Sequence, residues 1–485
     1  MINFTKWAAL FLLYILPVSV LANSDLIIIN AKMINTTEKT MFPREGYIII
    51  HDGKIKKVGF GKIPNIKNSR VYNAKHQYLI PGLIDSHNHI NVVPGLADDI
   101  SHPDLVTEYR KQLPSSYLYF GYTTIIDLVI DKSEIFNSNP KHPDLYTCGG
   151  GIMSANGYPM SEFPENLRFK MFPNFLYERN KGVKLPEGIN PADHTPSAII
   201  RRIVNSNAKC VKIFYEPGFG ASKNLPLPSL DAVRQIVILA HKHHLPVLIH
   251  ANSLVAQKFV LDSGADIFAH GMWNWKPYDG SPGLPSPIKH MLDQVILRHL
   301  GYQPTMQVIQ GLQALLDPHF LEDQQLLNVT PRPLLDWYKT KEGQWYTNLI
   351  VDGLPKSTVS NRLTSKEDQV SRVVKYIQKN HGNLLFGTDT PSSPTYGNPP
   401  GYNGYLEMKD WYQAGVPLSE ILISATIRNA KFFHLEKKYG SLSAGKIANL
   451  VIMKKNPLND ISAYDSITTV ILHGQFYDRH VFSAQ

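Results

Sequence analysis

The chain has 485 residues, 43% of them hydrophobic and 18% charged, with a formal net charge of +9 and two cysteines. That length holds one barrel-sized domain plus a smaller satellite more readily than a string of small modules, and the ordinary composition excludes long disorder. No long Lys/Arg block accompanies the positive charge, so a nucleic-acid partner has no support. Two cysteines, Cys148 and Cys210, exclude a scaffold built from disulfides, and the sequence does not say whether they pair.

Residues 1–22 contain a single Lys6, then an apolar run from Trp7 that is interrupted by Pro17 and ends in Val20, Leu21 and Ala22. A basic start, a short apolar segment and small residues just before Asn23 make the pattern of a secretory signal peptide, and the run is shorter than the about 20 residues of a bilayer span. The expectation is a cleaved leader over 1–22 and a periplasmic or secreted protein with no stable membrane insertion afterwards.

From 23 to 79, short β-branched runs such as "LIIINAKMI" and "GYIIIHDGKIKKVG" alternate with turn signals like Asp52-Gly53, and 436–485 has the same texture. The two ends are expected to build one composite β-sandwich. Between them, over 80–435, short apolar strands alternate with helical stretches, the pattern of a parallel α/β fold. Strands near Leu83, Thr123, Leu145, Val211, Val247, Ile267, Gln303 and Leu385 make eight, which predicts a (β/α)8 barrel of TIM type with its site at the strands' C-terminal ends. The long helical stretch over about 311–379 reads as an insertion after the seventh strand.

In "LIPGLIDSHNHI", His87 and His89 are two apart, so a strand would present both to one side. The fourth strand carries Lys212, the fifth ends in His250, the sixth in His270 and the eighth in Asp389. Each has an ordinary explanation alone: a core histidine, a turn, a helix cap, a snorkelling lysine. All of them at the mouth of one barrel is what ordinary explanations do not cover. The run His241–His244 instead ends a helical stretch, where cations favour the C-terminus.

The motifs "PGLIDSHNH", "VKIF", "LIHA", "FAHG", "FGTD" and the closing "SATIRNAKFFHLEKKYGSLSAGKIANLVIMKKNPL" resemble the metal-dependent amidohydrolase superfamily, in particular its imidazolonepropionase-like and prolidase-like branch. The resemblance implies two divalent metal ions, with Zn2+ expected. His87, His89 and Asp389 would hold one, His250 and His270 the other, and a carboxylated Lys212 would bridge them. It also implies an amidohydrolase cleaving C–N amide bonds of a small-molecule substrate (a dipeptide, an N-acyl amino acid or a cyclic amide) by a metal-bridging hydroxide, with Asp389 as the catalytic proton acceptor.

The sequence departs from that branch after the fourth strand, where "KIFYEPGFG" places Tyr215, Glu216 and Pro217, and in Asn449 where Asp is usual. Tyr215, Trp273, Trp275, Gln303 and Thr305 are candidates to line the substrate pocket. Two other functions compete. Mononuclear deaminases of the same fold use a glutamate three residues after the fifth-strand histidine, a position that is Ser253 here. A non-catalytic scaffold would have kept the barrel without need of all six ligand positions. Homo-oligomerisation is left open.

Overall fold

The computed structural model describes residues 25–485 except 38–40, 66, 68, 130–133, 138 and 220–221, so the expected leader lies outside the described residues. Strand Leu26–Met33 pairs antiparallel with Arg44–His51 and parallel with Tyr78–Pro81. Tyr78–Pro81 in turn pairs with Leu450–Met453 from the other end of the chain, and Ile467–Leu472 and Gln475–Asp478 complete that side. The result is one eight-stranded sheet fed by both chain ends. It curls: Ile55, at the far edge, accepts from Gly445 and donates to Lys446 just before the central strand Leu450–Met453. The expected sandwich is thus a single sheet closing over its own core of Ile28, Ile48, Ile50, Leu450 and Ile452. Asp52 (φ 46°) and Gly53 (φ 70°) are both left-handed, as a two-residue type I′ hairpin requires.

The eight expected barrel strands are Leu83–Asn88, Tyr122–Asp127, Asp144–Thr147, Val211–Phe214, Val247–His250, Ile267–Ala269, Gly301–Gln303 and Asn383–Leu384. The first three pair in parallel, and so do the last five. Two seams join these sheets. Lys209 donates to Thr147 O and Ile152 to Lys212 O between strands three and four; Ser86 donates to Phe386 O and Asp389 to His87 O between strands one and eight. Strands buried on both faces, by side chains within and helices without, read as apolar runs, which is why "LIPGLID" and "PVLIH" show no polar alternation.

The lower half of the barrel is filled by Ile84, Ile126, Leu248, Ile267 and Leu385, closed from below by Phe433. Cys148 and Cys210 lie in this layer and form a disulfide that links the third strand's end to the fourth strand's start. Because side chains two apart share a face, Lys212 stands directly above Cys210, and His250 above Leu248.

The helical stretch 311–379 divides in two. Helix Lys356–Lys379 buries Val370, Val373, Val374 and Ile377 and leads into strand eight, so it is the barrel's own crossover helix rather than part of an insertion. The shorter helices Gln324–Val329, Arg332–Tyr338 and Trp345–Val351 precede it. They lie over the mouth loops: the indoles of Trp337 and Trp345 both donate to Gly95 O (3.0 and 3.1 Å), and the Tyr346 hydroxyl donates to Ser393 (2.8 Å). Among the described residues, no helix is long and apolar enough to cross a membrane.

Candidate metal centre

Asp85, buried in the first strand, accepts from the Thr388 hydroxyl (2.7 Å) and from the backbone N–H groups of Thr388 and His87. Burial pushes its carboxyl up to about 7, against these hydrogen bonds. The effect is to lock strand one to strand eight at the level where each delivers a ligand-type side chain.

Above this lock the six expected ligand positions converge. Asp389 Oδ1 is 2.7 Å from His89 Nε2 and 3.0 Å from His87 Nε2, and its Oδ2 is 3.7 Å from His270 Nδ1. Lys212 Nζ is 3.2 Å from His87 Nε2, and the rings of His250 and His270 are 4.3 Å apart. The tightest group is His87, His270 and Asp389, whose ligand atoms all lie within 4.8 Å of one another. That group crosses the expected division, since it takes His270 from the second set. His270 (φ 84°), Thr305 (φ 42°) and Asp389 (φ 57°) are left-handed at three adjacent strand ends, a conformation that costs about 1–3 kcal/mol per residue and is concentrated at functional sites.

The donors are held in the protonation states that metal ligation needs. Burial lowers His87 to about 3 and, together with nearby positive groups, lowers His250 and His270, so the imidazoles are neutral. Burial alone would raise Asp389, but His87 and His270 and the hydrogen bonds to His87 and His89 outweigh it and hold the carboxylate ionised. Burial lowers Lys212 to about 7, and among the described residues no carboxylate is within ion-pair distance of it. Neutral imidazoles, one carboxylate and an amine without a counter-ion fit divalent cations.

Several histidines are fixed from behind. His87 Nδ1 meets Gln303 Oε1 (3.1 Å), and Gln303 Nε2 donates to the Ser86 hydroxyl (2.8 Å). His270 Nδ1 meets the Thr305 hydroxyl (3.0 Å). Gln303 and Thr305, expected to bind substrate, are instead fully buried partners of His87 and His270: strand seven pairs with strand six, whose end carries His270, and Gln303 reaches His87 on strand one from within the barrel. Tyr215 is also corrected: its ring stacks on Phe259 at 3.9 Å, on the helix outside the barrel, since it follows inward-facing Phe214 by one residue. Trp275 is core, its indole donating to Met272 O. Of the three aromatic residues expected in the pocket, Trp273 alone borders the cluster, 5.6 Å from the His270 ring.

The sequence reading missed Asp85, Glu216 and Tyr158. Asp85 stood inside the quoted motif, and Glu216 was noted only as part of an altered loop. Tyr158, whose ring is 5.6 Å from that of His250, had no sequence signal because an irregular loop delivers it. The expected helix-end role of His241 agrees with its exposed pairing to Asp266 (2.9 Å).

The parallel barrel brings four histidines, a lysine and an aspartate together at its C-terminal mouth, and His87, His270 and Asp389 among them could hold a metal ion. Residues 331–476 match the model of the amidohydrolase family. Over 133 residues the chain is 25% identical to a 5-methylthioadenosine/S-adenosylhomocysteine deaminase of Syntrophomonas wolfei subsp. wolfei (strain DSM 2245B / Goettingen), covering 26% of this chain and 30% of that protein. Among solved structures it is similar to a Xaa-Pro dipeptidase with bound methionine in the active site (TM-score 0.66, 20% identity, 94% of this chain and 100% of that one). It is also similar to a molinate hydrolase (TM-score 0.66, 17% identity, 95% and 96%). At these identities the structural likeness is one of fold. Residues 331–476 thus carry the pattern of the amidohydrolase family, and 94% of the chain shares the fold of the Xaa-Pro dipeptidase.

Proposed function

We propose that the chain is an exported, binuclear metal-dependent hydrolase that cleaves C–N amide bonds of small molecules. The observation that carries this reading is Asp389 Oδ1, placed within hydrogen-bond reach of both His87 and His89 and buried beside His270 and Lys212. His87, His89 and Asp389 would hold one cation, His250 and His270 a second, with Lys212 bridging as its carbamate. The cations, with zinc expected, supply a Lewis acid that polarises the scissile carbonyl and acidifies water.

The chain's own groups do the rest. Asp389 accepts the proton of the attacking water, and as the C–N bond breaks it delivers that proton to the leaving nitrogen. Lys212, lowered to about 7, is substantially a neutral amine at neutral pH, and adding CO2 to it releases one proton and leaves an anionic oxygen donor. Trp273 beside His270 and Tyr158 beside His250 offer aromatic surface to a dipeptide, an N-acyl amino acid or a cyclic amide. The signal-like residues 1–22 and the Cys148–Cys210 disulfide support export to an oxidising compartment.

Mononuclear deamination is the second reading, favoured by the deaminase relative. Against it, Ser253 caps helix Leu254–Ser263 by accepting from Ala256, so the position offers no acid to a substrate. The test is metal content per chain after purification without chelators, together with a panel of Xaa-Pro dipeptides, N-acyl amino acids and lactams. About two equivalents and turnover of one amide class are expected. One equivalent with ammonia released from an aminopurine nucleoside would replace hydrolysis by deamination.

A further inference from the structure

One end of the curled sheet has no part in the proposed function. Residues 41–75 carry eight Lys and Arg against two acids, a net +6 of the chain's +9. All eight cations are exposed. Strand Arg44–His51 pairs antiparallel with strand Lys54–Phe60, and Gly46 stands opposite Phe60. That register sets Phe42 and Arg44 beside Phe60, Lys62 and Ile63 at the end of the hairpin away from its turn. Phe42 is 50% exposed, Phe60 43% and Ile63 39%. The Arg44 guanidinium lies over the Phe60 ring at 3.8 Å, and a crevice of about 160 Å³ between Met33, Val58, Phe60 and Leu442 opens beside it.

We propose that this end of the sheet docks reversibly on the surface of an anionic lipid bilayer. Phe42, Phe60 and Ile63 enter the boundary between headgroups and acyl chains, and the surrounding cations meet the lipid phosphates. Lysines alone would guard an edge strand against pairing with another sheet, but that role has no use for exposed phenyl rings among them. Apolar side chains clustered in the open mark a binding surface. Apolar groups ringed by cations suit an anionic bilayer, where each of the two attractions is weak alone and their sum gives reversible binding. A single-stranded nucleic acid would need open ring faces for its bases, whereas Arg44 already covers one face of Phe60 and Ile63 has no ring. This inference stands apart from the metal-binding reading of the barrel.

The test uses the full chain as its host cell processes it, and co-sedimentation with phosphatidylcholine vesicles made with and without phosphatidylglycerol. Binding is expected only where phosphatidylglycerol is present, and it should weaken as salt is raised. Lys57→Gln, Lys62→Gln and Lys67→Gln together should lower the affinity about 100-fold, at about fivefold for each cation. Residues 1–22 are treated alike in wild type and variant, so this difference reports on the sheet. In an otherwise unchanged chain, Phe42→Cys carrying an environment-sensitive fluorophore should shift its emission to the blue when phosphatidylglycerol vesicles are added. Equal binding to neutral and anionic vesicles overturns the proposal, as does undiminished binding by the triple variant or an unshifted label. So does a failure to sediment with either vesicle, and retention on heparin in that case would assign the surface to a soluble polyanion.

Discussion

A Cβ added at Gly387 would stand 2.8 Å from the Cβ of His87. The glycine of "FGTD" is thus what lets strand eight lie against strand one closely enough for Asp389 to reach His87 and His89. Gly387→Ala should force the two strands apart. We expect a stability loss of about 1–3 kcal/mol by urea unfolding, together with weaker metal retention on dialysis. A variant that kept both would show the contact to be slack.

Asp389→Asn removes the proton acceptor and keeps the side chain's size. Turnover of the best amide substrate should fall about 10²- to 10⁴-fold. Metal content by mass spectrometry should show at least one equivalent retained. Full activity in this variant would exclude Asp389 from proton transfer.

Gln303 is assigned here to His87 rather than to substrate. Gln303→Ala should weaken metal binding about 10- to 100-fold, by chelator competition. At saturating metal, KM should stay near the wild-type value. A raised KM at full metal occupancy would restore the substrate-binding role.

The titration of Lys212 should be visible in the metal-free protein. Its folded value, about 7, is below the 10.5 of an unfolded lysine, so the unfolded chain binds more protons between those limits. Stability should therefore rise with pH across that window, and Lys212→Met should flatten the rise in urea midpoints. Bicarbonate-dependent uptake of the second metal should likewise increase as pH passes through 7. His87 acts in a lower window: with its folded value near 3 against 6.5 unfolded, it removes stability as pH falls below 6.5. A midpoint that fell from pH 7.5 to 10 more in the wild type than in Lys212→Met would contradict the assignment.

The disulfide closes a sequence separation of 62 residues inside the barrel's lower core. Replacing Cys148 and Cys210 together by Ala should cost about 2–5 kcal/mol by urea unfolding. Lys212 is two residues from Cys210, so metal affinity reports whether the site feels the loss.

The sequence by itself determined the architecture and which side-chain types meet at the barrel's mouth. Eight apolar strands separated by helical stretches admit few closed arrangements, and "HNH", "LIH", "FAH" and "FGTD" mark strand ends because polar ligand groups interrupt otherwise dry runs. What it could not decide was which nitrogen, oxygen or ring faces which neighbour. Gln303, Thr305 and Tyr215 were assigned to substrate on residue type, yet strand register turns the first two toward His87 and His270 and the third toward Phe259. The helical stretch before strand eight was legible as helix, but only packing separated the crossover helix Lys356–Lys379 from the short helices over the mouth. Glu216 meets His250 and Asp85 meets Thr388, partners 34 and 303 positions away, and distances of that kind are set by how strands close into a barrel, which no local pattern encodes.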